Sequence, residues 1–209
     1  TPGSAMIRHD PNGTYLVGGM YAQFMRPEPR RGAVPLMLWH GGGLTGACWE
    51  TTPDGREGWQ HFFLRRGWEV FVTDAVERGR SGWMRIPEET GGTAVTLTME
   101  NPWERFRIGP GAPQDGRVFP GQQFPADIAS WRNFIRQCVP RFTTTDDLTI
   151  AAYGTLLDRV GPSVVVAHSQ GGFFAWRAAQ EWPEKVRALV LVEPASIGLA
   201  EKVAALRDI

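Results

Sequence analysis

Short apolar runs alternate with helix-spaced stretches along most of the chain. Val34 to Trp39, Trp68 to Thr73, Ser163 to Ala167 and Val186 to Val192 are dominated by apolar residues, the pattern of buried strands. Trp59 to Arg66, closed by Gly67, reads as a short helix, and Ala126 to Val139 and Asp146 to Val160 show helical spacing. A fourth helix is predicted over Phe173 to Glu181, after Gly171-Gly172. Strands alternating with helices predict a parallel α/β sheet with right-handed crossovers. Thr14 to Met25, with Tyr, Val, Met and Phe around Gly18-Gly19, predicts strands meeting at a turn. Met84 to Pro125 breaks the pattern. It is rich in Pro, Gly and polar residues, carries Trp103, Phe106, Phe119 and Phe124, and is long for a plain loop. It reads as an excursion over a site.

Composition narrows the class. The chain is 42% hydrophobic and 21% charged, which is globular and not disordered. At 209 residues, one domain is expected. Lys and Arg number 22 and Asp and Glu 22, a balance that argues against a nucleic-acid partner. No apolar run reaches the roughly 18 residues of a membrane span. Nine tryptophans point to a dense core or an apolar pocket. Cys48 and Cys138 read as buried thiols, with a disulfide between them as the alternative. Thr1 to Met6 shows no basic region followed by an apolar stretch, so no export signal is visible.

Candidate chemistry sits where strands end. Val164 to Gly172 runs from an apolar strand through His168-Ser169-Gln170 into a helix, the context of the G-x-S-x-G turn with Ala167 in place of the first glycine. Such a turn lifts a serine hydroxyl above the sheet, next to the free N–H groups of a helix N-terminus. His40-Gly41-Gly42-Gly43 follows the strand Val34 to Trp39. There, glycines let backbone N–H groups approach a substrate oxygen. Ligand sites of open α/β sheets lie at these strand ends. Asp74 to Gly82 forms a third such turn, read as structural, with Arg78 or Arg80 as an alternative anion binder.

These residues resemble the α/β-hydrolase superfamily. His40 to Gly46, Trp49 to Trp59, Phe62 to Gly67, Arg78 to Ser81, Gln123 to Pro125 and His168 to Gln170 resemble a small group of bacterial serine esterases within it. The likeness spans most of Val34 to Pro194. It implies an α/β-hydrolase fold: a mostly parallel, doubly wound sheet, helices on both faces and residues 84–125 as a cap-like excursion. It also implies an oxyanion hole built by Gly42 or Gly43 with Gln170, where those relatives can carry two adjacent cysteines. The acid of their Ser-Glu-His triad matches Glu193, in Val190 to Pro194. A carboxylate there, one strand from Ser169, suits the orienting of an imidazole; Asp74 is the alternative acid.

One element is missing from this set. In this fold the base follows the acid, yet no histidine follows Ser169; the four are His9, His40, His61 and His168. His168 is a poor base because neighbours on a sharp turn project apart, and His40 reads as a loop brace. The chain therefore resembles the N-terminal two-thirds of such an esterase, one domain incomplete at its C-terminal side, with a companion polypeptide or C-terminal segment expected to carry the base. The reading is hydrolysis of carboxylic esters through an acyl-enzyme on Ser169, with Glu193 as acid. Leu44, Trp83, Trp103 and His168 are expected to line the substrate pocket. Lactone, amide or carbon–carbon bond hydrolysis, or a non-catalytic binding subunit, are the alternatives. No metal or organic cofactor is expected, since neither histidines nor cysteines have ligand spacing. A homodimer is left open, and the resemblance points to a periplasmic or secreted protein, with a cytoplasmic location as the alternative.

Overall fold

The computed structural model describes residues 12–82 and 94–195. Five strands form one sheet: β1 (Tyr21–Met25), β2 (Leu36–Trp39), β3 (Val70–Asp74), β4 (Ser163–His168) and β5 (Val186–Val192). Their order across the sheet is β1-β3-β2-β4-β5. All neighbours are parallel except β1, which pairs antiparallel with β3 from Tyr21 opposite Asp74 to Met25 opposite Val70. The helices are α1 (Ala47–Glu50), α2 (Trp59–Leu64), α3 (Asn101–Arg105), α4 (Ile128–Arg136), α5 (Asp146–Val160) and α6 (Gln170–Glu181).

Alternation along β2 shows why both faces are covered. Met37 and Trp39 point to one face and join Tyr153 and Leu157 of α5 and Phe174 and Ala178 of α6. Leu36 and Leu38 point to the other and join Trp49 of α1 and Phe63 and Leu64 of α2. Every residue of β2 and β3 is buried, as expected of central parallel strands. Trp39 stacks on Tyr153 with ring centroids 3.6 Å apart.

Two expectations are corrected. Residues 14–25 give one strand, β1, because the stretch before it joins no strand and remains irregular, with Leu16 91% exposed. Within the excursion, Trp103, expected at the pocket, is fully buried. It packs edge-on against Trp131 of α4, with Ile108 and Phe124, in a third apolar cluster. An indole of that size is more stable inside such a cluster than facing a wet cavity. Both cysteines are free thiols.

Candidate active site

Ser169 sits between β4 and α6 with φ 50° and ψ −117°. This left-handed region costs a non-glycine residue about 1–3 kcal/mol and persists only where surroundings enforce it. Here the enforcement is visible. The Ser169 N–H donates to the Val192 carbonyl at the end of β5, and the Ser169 carbonyl accepts from Gly172 and Ala195. The turn also needs close approach. A Cβ on Gly171 would stand 2.5 Å from the His40 carbonyl oxygen and 2.8 Å from that of Trp39. A Cβ on Gly41 would stand 2.8 Å from His168 Nδ1 and 3.1 Å from Ser169 Cβ. Glycine at these positions lets the β2 end, the β4 end and the start of α6 meet.

Two cavities open at Ser169, of about 440 Å³ and about 360 Å³, and share Gly42, Leu97, Arg105 and Phe106. The larger one adds the apolar side chains of Leu44, Ile108, Phe124 and Phe134, together with His168 and Glu193. The smaller one adds Gln170, Arg141 and Asp146. The sequence-derived candidates Gly42, Leu44, His168, Ser169 and Glu193 therefore share one cavity, and Gln170 borders the adjoining one. Gly42 and Gln170 are close neighbours: a Cβ on Gly42 would stand 2.9 Å from Gln170 Oε1. Gly43 lies outside both cavity walls. Its φ is 73° and its carbonyl accepts from Val139. Trp83 lies outside the described residues, as do residues 84–93 of the excursion.

Glu193 follows β5 with φ 44° and pairs with Arg107 at 3.3 Å, both side chains mostly exposed. Asp74 is differently employed. Its carboxylate accepts from the Gly46 N–H at 2.7 Å, the Arg80 N–H at 2.7 Å, and Arg80 Nε and Nη2 at 2.9 and 3.0 Å. Burial works to raise its pKa, but the Arg80 side chain and the two backbone donors outweigh that and hold it below the usual range. With its oxygens so occupied, Asp74 ties the Asp74–Ser81 turn to α1.

None of the described histidines bonds the Ser169 hydroxyl. His40 is buried; its Nε2 accepts from the Ala75 N–H at 2.9 Å, so its Nδ1–H donates to the Gly41 carbonyl at 2.8 Å. Burial pushes its pKa down to about 4, keeping the ring neutral. His168 is half-buried and its pKa is lowered by desolvation, against the raising charge of Glu193. His61 is exposed on α2 and is not part of either cavity wall, and His9 lies outside the described residues. No group of three or more His, Cys, Asp or Glu is placed to hold a metal ion among the described residues. Nor does any helix there have the length and apolarity to cross a membrane.

Several cavity residues escape sequence reasoning: Leu97, Arg105, Phe106, Phe134 and Arg141. The basic and aromatic run Arg105-Phe106-Arg107 is a local signal that could have marked Arg105 and Phe106.

Comparison with known proteins places these features in context. A family model described as alpha/beta hydrolase fold matches residues 98–208. A protein of Fungal sp. (strain ATCC 74256) named "Probable secreted lipase phiG" is 34% identical over 194 residues, covering 87% of this chain and 52% of its own length. A solved structure titled "The Atomic Resolution Structure of a Novel Bacterial Esterase" superposes with a TM-score of 0.77 at 32% identity, covering 87% of this chain and 59% of that one. The chain thus spans between half and three-fifths of these two relatives.

Proposed function

The chain belongs to the alpha/beta hydrolase fold family, and from that premise we propose that it carries the nucleophile and acid of a serine carboxylic-ester hydrolase. The observation that carries this reading is Ser169 at φ 50°, held at the head of α6 beside a cavity that also contains Gly42 and Glu193. The names of the fungal and bacterial relatives, a lipase and an esterase, support the reaction class.

Ser169 Oγ attacks the ester carbonyl carbon and gives its proton to an imidazole. The tetrahedral oxyanion faces the backbone N–H groups of Gly42 and Gln170. Each such donor is worth on the order of 10²–10³ in rate. Collapse expels the alcohol, which takes the proton back from the imidazolium, and water repeats the sequence on the acyl-enzyme. Glu193 orients the imidazole and stabilises its cation, exchanging Arg107 for that partner. His40 has both nitrogens engaged, His168 does not bond the Ser169 hydroxyl and His61 lies outside both cavity walls, so the base comes from beyond the described residues, on a companion polypeptide or a C-terminal segment. From the excursion, Phe106, Ile108 and Phe124 stand in the wall of the larger cavity, and these apolar side chains take the hydrocarbon part of the ester. The name of the fungal relative supports an exported protein.

Steady-state hydrolysis of a chromogenic short-chain ester by the full-length protein tests the assignment. Ser169→Ala abolishes turnover, and Glu193→Gln lowers kcat by about 10³–10⁴. Ser169→Ala with full activity overturns the assignment.

A further inference from the structure

The two cavities meeting at Ser169 differ in character. The larger has Leu44, Ile108, Phe124 and Phe134 in its wall. The smaller adds Arg141, Asp146 and Phe173 to the Arg105 that both share. Arg141 stands beside the oxyanion segment, its Cζ 3.5 Å from where a Cβ on Gly42 would be. Its backbone N–H and carbonyl exchange hydrogen bonds with Val95 in an isolated bridge, which fixes where the side chain starts.

Arg78 lies close behind. It is 3% exposed, and its buried Nε and Nη1 meet no hydrogen-bond partner. Burial and the like charge of Arg141 pull its pKa down to about 10, with Tyr153, Asp146 and Glu77 opposing. Asp146 is subject to the same group: burial raises its pKa while Arg78 and Arg141 lower it. The wall of the small cavity sets two guanidinium groups, Arg105 and Arg141, against the one carboxylate of Asp146, and buried guanidinium nitrogens without partners, such as Nε and Nη1 of Arg78, are costly unless an anion offsets them. The other arginines nearby are engaged or wet: Arg80 is held by Asp74 and Glu50, and Arg107 by Glu193 at the solvent edge.

We propose that the smaller cavity is an anion subsite, in which Arg141, with the charge of Arg78 behind it, holds a carboxylate carried by the ester substrate. The substrate class is then a half-ester: one side apolar, in the larger cavity, and the other acidic, in the smaller. Planar guanidinium donors suit a carboxylate. The inference rests on the esterase reading and adds its specificity.

Two matched pairs test it with the full-length protein: 4-nitrophenyl hemisuccinate against its methyl ester, and 4-acetoxybenzoate against its methyl ester. They place the carboxylate on the acyl and on the alcohol side. In at least one pair kcat/KM favours the acid by about tenfold or more at low salt, and the ratio shrinks as ionic strength rises. Arg141→Gln brings that ratio to about one. Arg141→Lys retains part of it, and thermal unfolding of both variants separates lost charge from lost fold. Neutral esters turned over as well as or better than the acids in both pairs, or a preference surviving Arg141→Gln, overturn the subsite and leave the esterase reading standing. Failure to hydrolyse any of the four esters overturns the esterase reading, and the subsite falls with it.

Discussion

His40 gives the sharpest quantitative consequence of this architecture. The ring is buried and neutral, with Nε2 accepting from Ala75 and Nδ1–H donating to Gly41. Its pKa falls from 6.5 to about 4 on folding. The unfolded chain therefore binds the proton more tightly, and stability is lost as the pH falls from about 6.5 toward 4. Between pH 7 and pH 5 the linkage amounts to about 2 kcal/mol, because the unfolded imidazole is almost fully protonated at pH 5 and the folded one is not. Most carboxylates remain ionised at pH 5, and His168, whose pKa is lowered too, contributes alike to wild type and variant, so the difference between them isolates the His40 imidazole. The assay is urea unfolding at both pH values for the wild type and for His40→Gln, whose carbonyl can still accept from Ala75 but cannot titrate. The wild type loses about 2 kcal/mol more than the variant over that interval. The His40 ring protons, followed by NMR, show no titration above about pH 5. Equal pH dependence in the two proteins, or an imidazole titrating near 6.5, refutes the brace.

Two further outcomes follow from packing. Gly171→Ala drives a Cβ to 2.5 Å from the His40 carbonyl oxygen, so α6 shifts. Overpacking of about 1–3 kcal/mol outweighs a helix-propensity gain of about 1 kcal/mol, and misplacing Ser169 lowers kcat by about 10²-fold; thermal unfolding and ester kinetics measure both. Asp74→Asn strips the charge facing Arg80 and costs about 3 kcal/mol in urea unfolding, discounted from larger buried-pair values because Arg80 is partly wet. Its kcat stays within about threefold of the wild type, whereas that of Glu193→Gln collapses while its stability holds.

Much of this arrangement was legible in the chain because it is local. The helix Asp146–Val160 and the strand Val186–Val192 coincide end for end with their patterns. The turns at His40, Asp74 and Ser169 announce themselves because glycine and serine follow apolar runs. What stayed hidden depends on distant contacts. β1 is antiparallel because of where it docks on β3, which its composition does not reveal. Trp103 reads as a pocket residue because the Pro- and Gly-rich excursion has no period to show that α4 brings Trp131 to cover it. Arg78 and Arg80 look alike in sequence, yet one is buried without hydrogen-bond partners for its Nε and Nη1 and the other clasps Asp74. Arg141 carries no local mark, since the bridge to Val95 and the bond from the Val139 N–H to the Gly43 carbonyl set it beside the oxyanion segment.

The central claim is that Ser169 is an activated nucleophile. Its most direct test is fluorophosphonate labelling of the folded full-length protein, with the adduct located by peptide mass spectrometry. One phosphonyl group per chain on Ser169, absent from Ser169→Ala and from the unfolded protein, is the result the account predicts. A folded protein that takes no label, or takes it on another serine, contradicts the account.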